Sequence, residues 1–211
     1  MGLKHAAALA LLLAALGLYA VAPRRVDLRN FDPAEVARLE TAMWRDYYAK
    51  HYLMLFCHLY ESSRMFDFSP FASFRISLSA AQAARAFHPT RSRAEAERAI
   101  PFLVTYYRLL REAAPVAIDP QELASRELDW WQARREAVDP RDYGVIIAQI
   151  AALTYGKRQG DPALLAFGID RAEAMSYRDA RGQAITEEDW LRIEAQLRDA
   201  YQQLRKGIGN G

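Results

Sequence analysis

The chain of 211 residues is 52% hydrophobic and 26% charged, which excludes a disordered protein and is enough for one domain with an apolar core. Its 28 Lys and Arg residues nearly balance its 26 Asp and Glu residues, and the two signs are interleaved, which argues against the concentrated basic surface of a nucleic-acid-binding protein. Cys57 is the only cysteine, so an intramolecular disulfide and a thiolate zinc cluster are excluded, and we expect a buried, inert thiol.

The first predicted element is an apolar segment, residues 6–22, which contains 17 residues and no charge. A helix of this length rises by roughly 26 Å, near the lower limit for crossing a bilayer. Lys4 precedes the segment, and Arg24 and Arg25 follow it. We therefore expect a transmembrane or signal-anchor helix, with residues 1–27 forming the anchor and its flank.

A cleaved signal peptide is the competing interpretation, because Ala20, Val21 and Ala22 have the small-x-small form of a cleavage site. Pro23 would follow the scissile bond, where a residue with a fixed φ and no N–H is unfavourable. The arginines after the apolar run also resist translocation. These features favour an uncleaved single-pass anchor, while positive charge on both flanks leaves the side of the globular part open.

Helix start signals recur along the rest of the chain. Five pairs combine a capping side chain with a following proline: Asp32-Pro33, Ser69-Pro70, Asp119-Pro120, Asp139-Pro140 and Asp161-Pro162. The capping oxygen accepts a free backbone N–H, and proline at the first helical position has no N–H to leave unpaired. Ser92 with Glu95, and Thr186 with Asp189, have the form of capping boxes. Glycines typical of helix ends are Gly156, Gly160, Gly182 and Gly207.

These signals predict seven helices, at about residues 33–64, 70–87, 92–113, 120–138, 140–156, 162–181 and 186–206. Pro101 lies inside the third helix and should kink or split it. No stretch combines period-two alternation with β-branched residues, so no sheet is expected. We expect residues 28–211 to form one all-α domain, a single helical bundle of about seven helices preceded by the N-terminal anchor helix.

The predicted helix 33–64 carries a polar and aromatic stripe. Steps of four and three residues place the following side chains on one face: Glu40, Trp44, Tyr47, His51, Met54, His58 and Glu61. The stripe is either a polar site inside the bundle or a packing face with polar tips, in which Glu40 either lies favourably near the positive end of the helix dipole or pairs with an arginine. The aromatic side chains favour packing. His51 and His58 lie about 10 Å apart along a helix, too far to ligate one metal ion together.

Polar partners for this stripe are predicted on two other helices. Glu127 and Arg134 share a sector of the helix 120–138, where they could form an ion pair or a clamp for a carboxylate. Asp170, Glu173 and Tyr177 line one face of the helix 162–181. We expect these residues to contact the stripe if the stripe is a site.

A metal site is one alternative for these residues. If Glu40, Glu127 and Glu173 meet a histidine in the core, the group would resemble the carboxylate-bridged di-metal centre of ferritin-like proteins. That centre uses Glu-x-x-His, whereas this chain has only the reverse order, from His58 to Glu61. The alternative is therefore a degenerate ferritin-like metal-dependent oxidoreductase. A noncovalent haem-binding helical protein, with a histidine of the stripe as axial ligand, is a third hypothesis.

Three stretches carry a resemblance: MWRDYY (43–48), RELDWWQARRE (126–136) and RAEAMSYRDARG (171–182). They resemble segments of a group of uncharacterised bacterial proteins that have a short N-terminal hydrophobic segment. The resemblance covers most of the chain after residue 28. It implies a coherent bacterial domain, and it transfers no activity, cofactor or site residue.

The apolar segment and the aromatic-rich helices favour a membrane-anchored helical-bundle module for binding or assembly. The sequence contains no glycine-rich phosphate loop, no Gly-x-Ser-x-Gly elbow and no His-Glu-x-x-His pattern, which also favours this function. We expect attachment to a bacterial inner membrane through residues 6–22, a membrane-protein partner and no nucleic acid.

Overall fold

The structure is a computed structural model that describes the backbone of residues 3–209 and the side chains of residues 5–209. This part of the chain is all-α and contains no strand, which confirms the all-α part of the predicted fold class. Its helices are α1 (Leu3–Val21), α2 (Pro33–Ala49), α3 (Tyr52–Met65), α4 (Pro70–Phe87), α5 (Arg93–Ala96), α6 (Ile100–Ala113), α7 (Pro120–Arg135), α8 (Pro140–Tyr155), α9 (Pro162–Arg181) and α10 (Glu187–Gly209).

The predicted helix starts are confirmed. In all five cap–proline pairs the capping side chain accepts a backbone N–H from the first turn, and the proline occupies that turn. Asp32, for example, accepts from the N–H of Ala34 at 2.9 Å. Thr186 and Asp189 form a reciprocal capping box, since the N–H of each residue donates to the side chain of the other. These boundaries follow from local chemistry, which is why the sequence predicts them.

The single helix predicted at 33–64 is wrong, because it is two helices. α2 ends at Ala49, Lys50 adopts a left-handed conformation with φ 60°, and α3 begins at Tyr52. α3 folds back along α2, so that Arg38 Nη2 lies 2.8 Å from Glu61 Oε1. The predicted stripe is therefore divided between the two helices of an antiparallel hairpin.

The third predicted helix is split, as Pro101 indicates. α5 is followed by a short 3₁₀ turn, Glu97–Ala99, and Pro101 lies in the first turn of α6. Gly207 was predicted to end the last helix, and this is wrong, because α10 continues to Gly209. A Cβ atom on Gly207 would lie 2.7 Å from Cδ2 of Leu164, so this glycine serves close packing.

The helices of the bundle form a closed ring of neighbours. α2, α3, α4, α6, α7, α8, α9 and α10 each contact the next, and α10 contacts α2. Three apolar clusters lie between them: one among α4, α6 and α7, one among α7 to α10, and one among α2, α9 and α10. The extended segment before α2 adds Val26 and Leu28 to the first cluster and Phe31 to the second. It thereby ties two parts of the core together.

α1 stands apart from this core. It contacts α4, and its described residues lie outside the three apolar clusters. In the part of the chain that the structure describes, no helix is both long enough and apolar enough to cross a membrane. The transmembrane or signal-anchor helix predicted at residues 6–22 is therefore not supported, although a helix does form there. α1 has 19 residues, and its uncharged run of 17 residues is at the lower limit of a span.

α8 and α9 approach each other backbone to backbone. A Cβ atom on Gly168 would overlap the carbonyl oxygen of Gly144, and a Cβ atom on Gly144 would lie 2.8 Å from Cα of Ile169. Side chains at either position would push the two helices apart. The contact between α8 and α9 therefore depends on two glycines in helix interiors, where glycine is otherwise unfavourable.

The first prediction tests this contact. We expect Gly168→Ala to lower the free energy of unfolding by about 2 kcal/mol or more, because the added methyl group overlaps backbone atoms. Gly17→Ala is the matched control, since a Cβ atom there would have nothing within 4 Å. Alanine is favoured over glycine in an open helix by about 1 kcal/mol, so the control should not destabilise. Denaturant unfolding followed by circular dichroism measures both, and an undiminished stability of Gly168→Ala would contradict the close contact.

Candidate functional site

Glu40 lies inside the bundle and binds two other helices. Its side chain is only 5% exposed. Arg171 of α9 donates to Oε1 of Glu40 through Nε at 2.9 Å and Nη2 at 2.5 Å, and the hydroxyl of Tyr201 in α10 donates to Oε2 at 2.5 Å. Of the structural roles considered for Glu40, the structure shows the pairing with an arginine. One carboxylate joins α2, α9 and α10 through charge-assisted hydrogen bonds, which are the strong ones.

A second, half-buried carboxylate belongs to the same group. Glu127 of α7 accepts from the hydroxyl of Tyr107 at 2.8 Å and from Nε1 of Trp131 at 3.1 Å. The guanidinium of Arg171 also lies 5.4 Å from the ring centroid of Trp130, a cation–π arrangement. We define the central cluster as Glu40, Arg171, Tyr201, Glu127 and Tyr107. It draws on five helices, α2, α6, α7, α9 and α10.

The electrostatics of the central cluster fix its protonation. Burial is the largest single influence and lowers the pKa of Arg171, but the charge and hydrogen bonds of Glu40, together with Tyr201 and Glu127, outweigh burial, and the pKa is raised. Burial raises the pKa of the Tyr201 and Tyr107 hydroxyls well above the ordinary value, and the neighbouring carboxylates Glu40 and Glu127 raise it further. The guanidinium stays charged and both phenols stay protonated around neutral pH. The arrangement is therefore a set of fixed donors and acceptors that holds helices in register.

The two histidines of the stripe lie on the α2–α3 hairpin. Nδ1 of His58 donates to Oδ2 of Asp46 at 2.8 Å, and Nδ1 of His51 lies 3.5 Å from the other oxygen of the same carboxylate. His51 is largely exposed, and Glu61 is bound by Arg38. These contacts connect the helices of the hairpin. The haem hypothesis stays a prediction. In this hypothesis Nε2 of His58 is the nitrogen available as an axial ligand, because Nδ1 is hydrogen-bonded to Asp46.

Arg134 binds a different carboxylate from the one predicted. Its Nε and Nη2 donate to the two oxygens of Asp179 in α9, at 2.9 and 3.0 Å. Tyr48 of α2 donates to Asp179 at 2.9 Å and accepts from Arg134 at 2.5 Å. The predicted pair of Glu127 with Arg134 is wrong, because Asp179 offers two parallel bonds while Glu127 is taken by an aromatic pair. Arg134 was also predicted as part of a clamp for a carboxylate, and the carboxylate it binds is that of Asp179 in the protein itself.

Tyr177 lies at the corner between α9 and α10. Its hydroxyl donates to Oδ1 of Asp189 at 2.5 Å, and Arg181 donates to the same hydroxyl at 2.8 Å. The other oxygen of Asp189 accepts from the backbone N–H and the hydroxyl of Thr186. These hydrogen bonds, that of Tyr177 first, lower the pKa of Asp189 to about 2. Tyr177 therefore completes the cap at the start of α10.

Asp170 and Glu173 do not reach the central cluster. Glu173 lies 3.6 Å from Nε of Arg141 on α8. Burial raises the pKa of Asp170, and the like charges of Glu173 and Asp199 raise it further. The predicted face of α9 thus carries acidic side chains turned toward α8 and α10, whereas Arg171 provides the inward contact.

The carboxylate convergence that the metal-oxidoreductase alternative requires is not found. Among residues 5–209, no three His, Cys, Asp or Glu side chains lie close enough together to hold a metal ion. Glu40, Glu127 and Glu173 have separate partners: an arginine and a tyrosine, a tyrosine and a tryptophan, and a surface arginine. Glu40 and Glu127 are hydrogen-bonded by donors of the protein itself, and Glu173 lies in a largely exposed ion pair.

Arg171, Tyr201 and Tyr107 are the residues of the central cluster that were not predicted. A signal for Arg171 is present in the sequence, since it follows Leu164 and Gly168 and precedes Met175 at spacings of four, three and four. These three neighbours are buried, so the stripe is the inner face of α9. A lone cation in an apolar stripe indicates a buried ion pair.

Two open depressions on the surface lie at the starts of α6 and α7, with volumes of about 600 and 370 Å³. Their charged lining is engaged within the protein, since Arg126 donates to Glu122 and Gln149, and Arg93 donates to Asp129. No residue predicted as a site lines these two depressions. They are grooves between polar helix faces.

Comparison with known protein families, with curated proteins and with solved structures gives no match. The resemblance to bacterial proteins that have an N-terminal hydrophobic segment stays a prediction.

The second prediction concerns the buried ion pair. We expect Arg171→Met to lower the free energy of unfolding by about 3–5 kcal/mol, because it leaves the carboxylate of Glu40 buried without a cation. The double variant Glu40→Met, Arg171→Met should recover part of this loss, since no unpaired charge remains. The control is Arg108→Met in the exposed pair of Arg108 and Glu112, which should cost less than about 1 kcal/mol. Equal losses in the two single variants, measured by denaturant unfolding, would contradict the role of Arg171.

The third prediction concerns acid stability. The pKa of Asp189 is lowered from 3.8 to about 2 in the folded protein, so its charged form stabilises the fold. This contribution is complete above pH 4 and is lost as the pH falls toward 2. We expect Asp189→Asn to be less stable than the wild type at neutral pH, with the difference shrinking between pH 4 and pH 2. Thermal unfolding over this range measures it, with the exposed Glu188→Gln as control, and a pH-independent difference would contradict the assignment.

Proposed function

We propose that the protein is a membrane-attached helical-bundle module for binding or assembly, held at a bacterial inner membrane by α1. The observation that carries the proposal is the exposure of this helix. Its large apolar side chains are at least half exposed: Leu9, Leu11, Leu12, Leu13, Leu16, Leu18, Tyr19 and Val21. Consecutive leucines at 11, 12 and 13 point to different sides, so α1 is apolar around its circumference, which is typical of a helix in contact with lipid.

Burial of the exposed apolar side chains of α1 is energetically favourable. Full burial of one leucine side chain contributes about 1.5–3 kcal/mol. The six exposed leucines together offer on the order of 10 kcal/mol before the cost of ordering is subtracted. Monomeric soluble proteins rarely expose a contiguous apolar surface of this kind. The proposal requires only that the apolar surface of α1 enters lipid, whether or not the helix crosses the bilayer.

Side chains typical of a membrane–water boundary lie at the C-terminal end of α1. The guanidinium of Arg24 lies 4.6 Å from the ring centroid of Tyr19, and Nη2 of Arg64 in α3 donates to the Tyr19 hydroxyl at 3.4 Å. Tyrosine and arginine are enriched where a helix leaves the hydrocarbon region. We place the headgroup level at residues 19–25, directly beside the bundle.

The bundle itself has the properties of a rigid module. The residues that the sequence singled out connect helices, as Glu40 joins α2 to α9 and α10 and Arg134 joins α7 to α9. Buried, satisfied polar networks of this kind specify one arrangement of helices. A rigid bundle on a lipid attachment supports the binding or assembly function, with a membrane protein as the proposed partner.

The fourth prediction tests the attachment. We expect the full-length protein to float with vesicles of phosphatidylethanolamine and phosphatidylglycerol, and Leu12→Asp, Leu16→Asp to abolish most of this binding, because charge in the apolar region is costly. Leu191→Asp is the matched control, since this leucine is 69% exposed on α10 of the bundle. A wild-type protein that remains with the aqueous fraction, or a control as defective as the α1 variant, would overturn the proposed function.

A further inference from the structure

A second exposed apolar surface lies on the bundle itself. We define the α3–α4 patch as Leu53, Phe56 and Cys57 of α3 and Phe71, Phe74 and Leu78 of α4. Leu53 is 77% exposed, and Phe71 and Phe74 are 51% and 45% exposed. Cys57 is also exposed, so the expectation of a buried thiol is wrong. The rings of Phe56 and Phe74 lie 5.8 Å apart and join the two helices into one surface.

The exposed row on α4 is not needed for the core. Phe71, Phe74 and Leu78 follow at spacings of three and four residues and therefore share one side of the helix. The opposite side contributes the buried residues Ile76 and Ala83 to the first apolar cluster. In the first half of α4 the buried side carries Ser73 and Ser77 beside Ile76, so the larger apolar side chains, Phe71 and Phe74, lie on the exposed side. An exposed apolar surface of this extent marks an interaction site.

The patch lies beside the membrane attachment. α1 contacts α4, and Tyr19 at the end of α1 is hydrogen-bonded to Arg64 in the last turn of α3. The two helices that carry the patch are therefore those next to the proposed headgroup level. A lipid surface that receives α1 lies within reach of both.

The charges on α4 complement anionic lipid, and one exposed acid, Asp67, lies in the turn between α3 and α4. α4 contains Arg75 and Arg85 and no acidic residue, and Arg75 lies 5.9 Å from the ring centroid of Phe71. The single acidic residue of α3, Glu61, is bound by Arg38. Arginine beside exposed aromatic residues suits a headgroup region of phosphatidylglycerol, where the rings enter the acyl boundary and the guanidinium meets phosphate.

We propose that the α3–α4 patch docks on the surface of the anionic membrane that α1 enters. The occupant is the headgroup and upper acyl region of an anionic phospholipid bilayer. This inference rests on the proposed function, and it adds an orientation: two separate contacts, α1 and the patch, fix how the bundle lies on the lipid. α9 and α10, on the other part of the ring, then face the aqueous phase, where a partner binds.

The fifth prediction uses the single cysteine. Cys57 of the full-length protein is labelled with an environment-sensitive fluorophore, and vesicles contain phosphatidylglycerol and brominated acyl chains. When the protein binds the vesicles, we expect the emission of the Cys57 label to shift to the blue and to be quenched by the brominated acyl chains. Phe71→Ser, Phe74→Ser should lose most of the quenching while still floating through α1. Both phenylalanines are exposed, so the variant should keep the circular dichroism spectrum of the wild type.

Controls separate the two contacts. With Cys57→Ser and the label on Gln202→Cys, an exposed position of α10, we expect no quenching on the same vesicles. Arg75→Glu should weaken the quenching and Arg75→Lys should retain it, because the charge meets anionic headgroups. Equal quenching of the Cys57 label on neutral phosphatidylcholine vesicles would overturn the anionic preference.

The outcomes distinguish this inference from the proposed function. If the protein floats with vesicles but the fluorescence of the Cys57 label does not change, docking of the patch is overturned and attachment by α1 is left intact. No flotation overturns the proposed function. A blue shift without vesicles that grows with protein concentration shows a second copy on the patch, which overturns the lipid as occupant.

Discussion

The buried pair of Glu40 and Arg171 is the constraint on which the arrangement of helices depends. A carboxylate that is 5% exposed must be paired and hydrogen-bonded, or its desolvation would cost several kcal/mol. Its two partners lie on α9 and α10, and α10 is the helix that closes the ring against α2. Only one register of these helices brings a guanidinium and a phenol to the same carboxylate. The apolar clusters supply most of the stabilisation, whereas this pair selects the arrangement.

The sequence predicts most of the helix boundaries, because capping is local. Aspartate or serine before proline starts a helix wherever it occurs here, and Pro101 splits the third helix. The break at Lys50 could not be predicted, because a left-handed conformation is usually marked by glycine, and lysine carries no such signal. Gly168 could not be recognised as a packing position either. Its role is set by Gly144 on another helix, and helical glycine by itself predicts only lower stability.

The candidate site could be predicted only in part, because its contacts join helices that are far apart in the sequence. Pairing with an arginine was one of the two structural roles considered for Glu40, and the structure shows this pairing. The identity of the partners depends on contacts across 131 and 161 residues of chain, which a periodic pattern cannot reveal. Arg134 shows the same limit, since Glu127 is a close neighbour in sequence and Asp179 is the partner in space. Residues selected for their chemistry were found in structural contacts because tertiary packing decides which polar groups meet.

Closure of the ring has a consequence for synthesis on the ribosome. Glu40 emerges early, while the hydroxyl of Tyr201 that binds it lies 161 residues later. At about 5–20 residues per second, the interval is on the order of ten seconds or more. For most of this time α2 has no cation to hold its carboxylate, because Arg171 follows Glu40 by 131 residues. Under the proposed function, the nascent chain meets lipid as an open arc of helices, and α10, the last helix to leave the ribosome, closes the ring against α2.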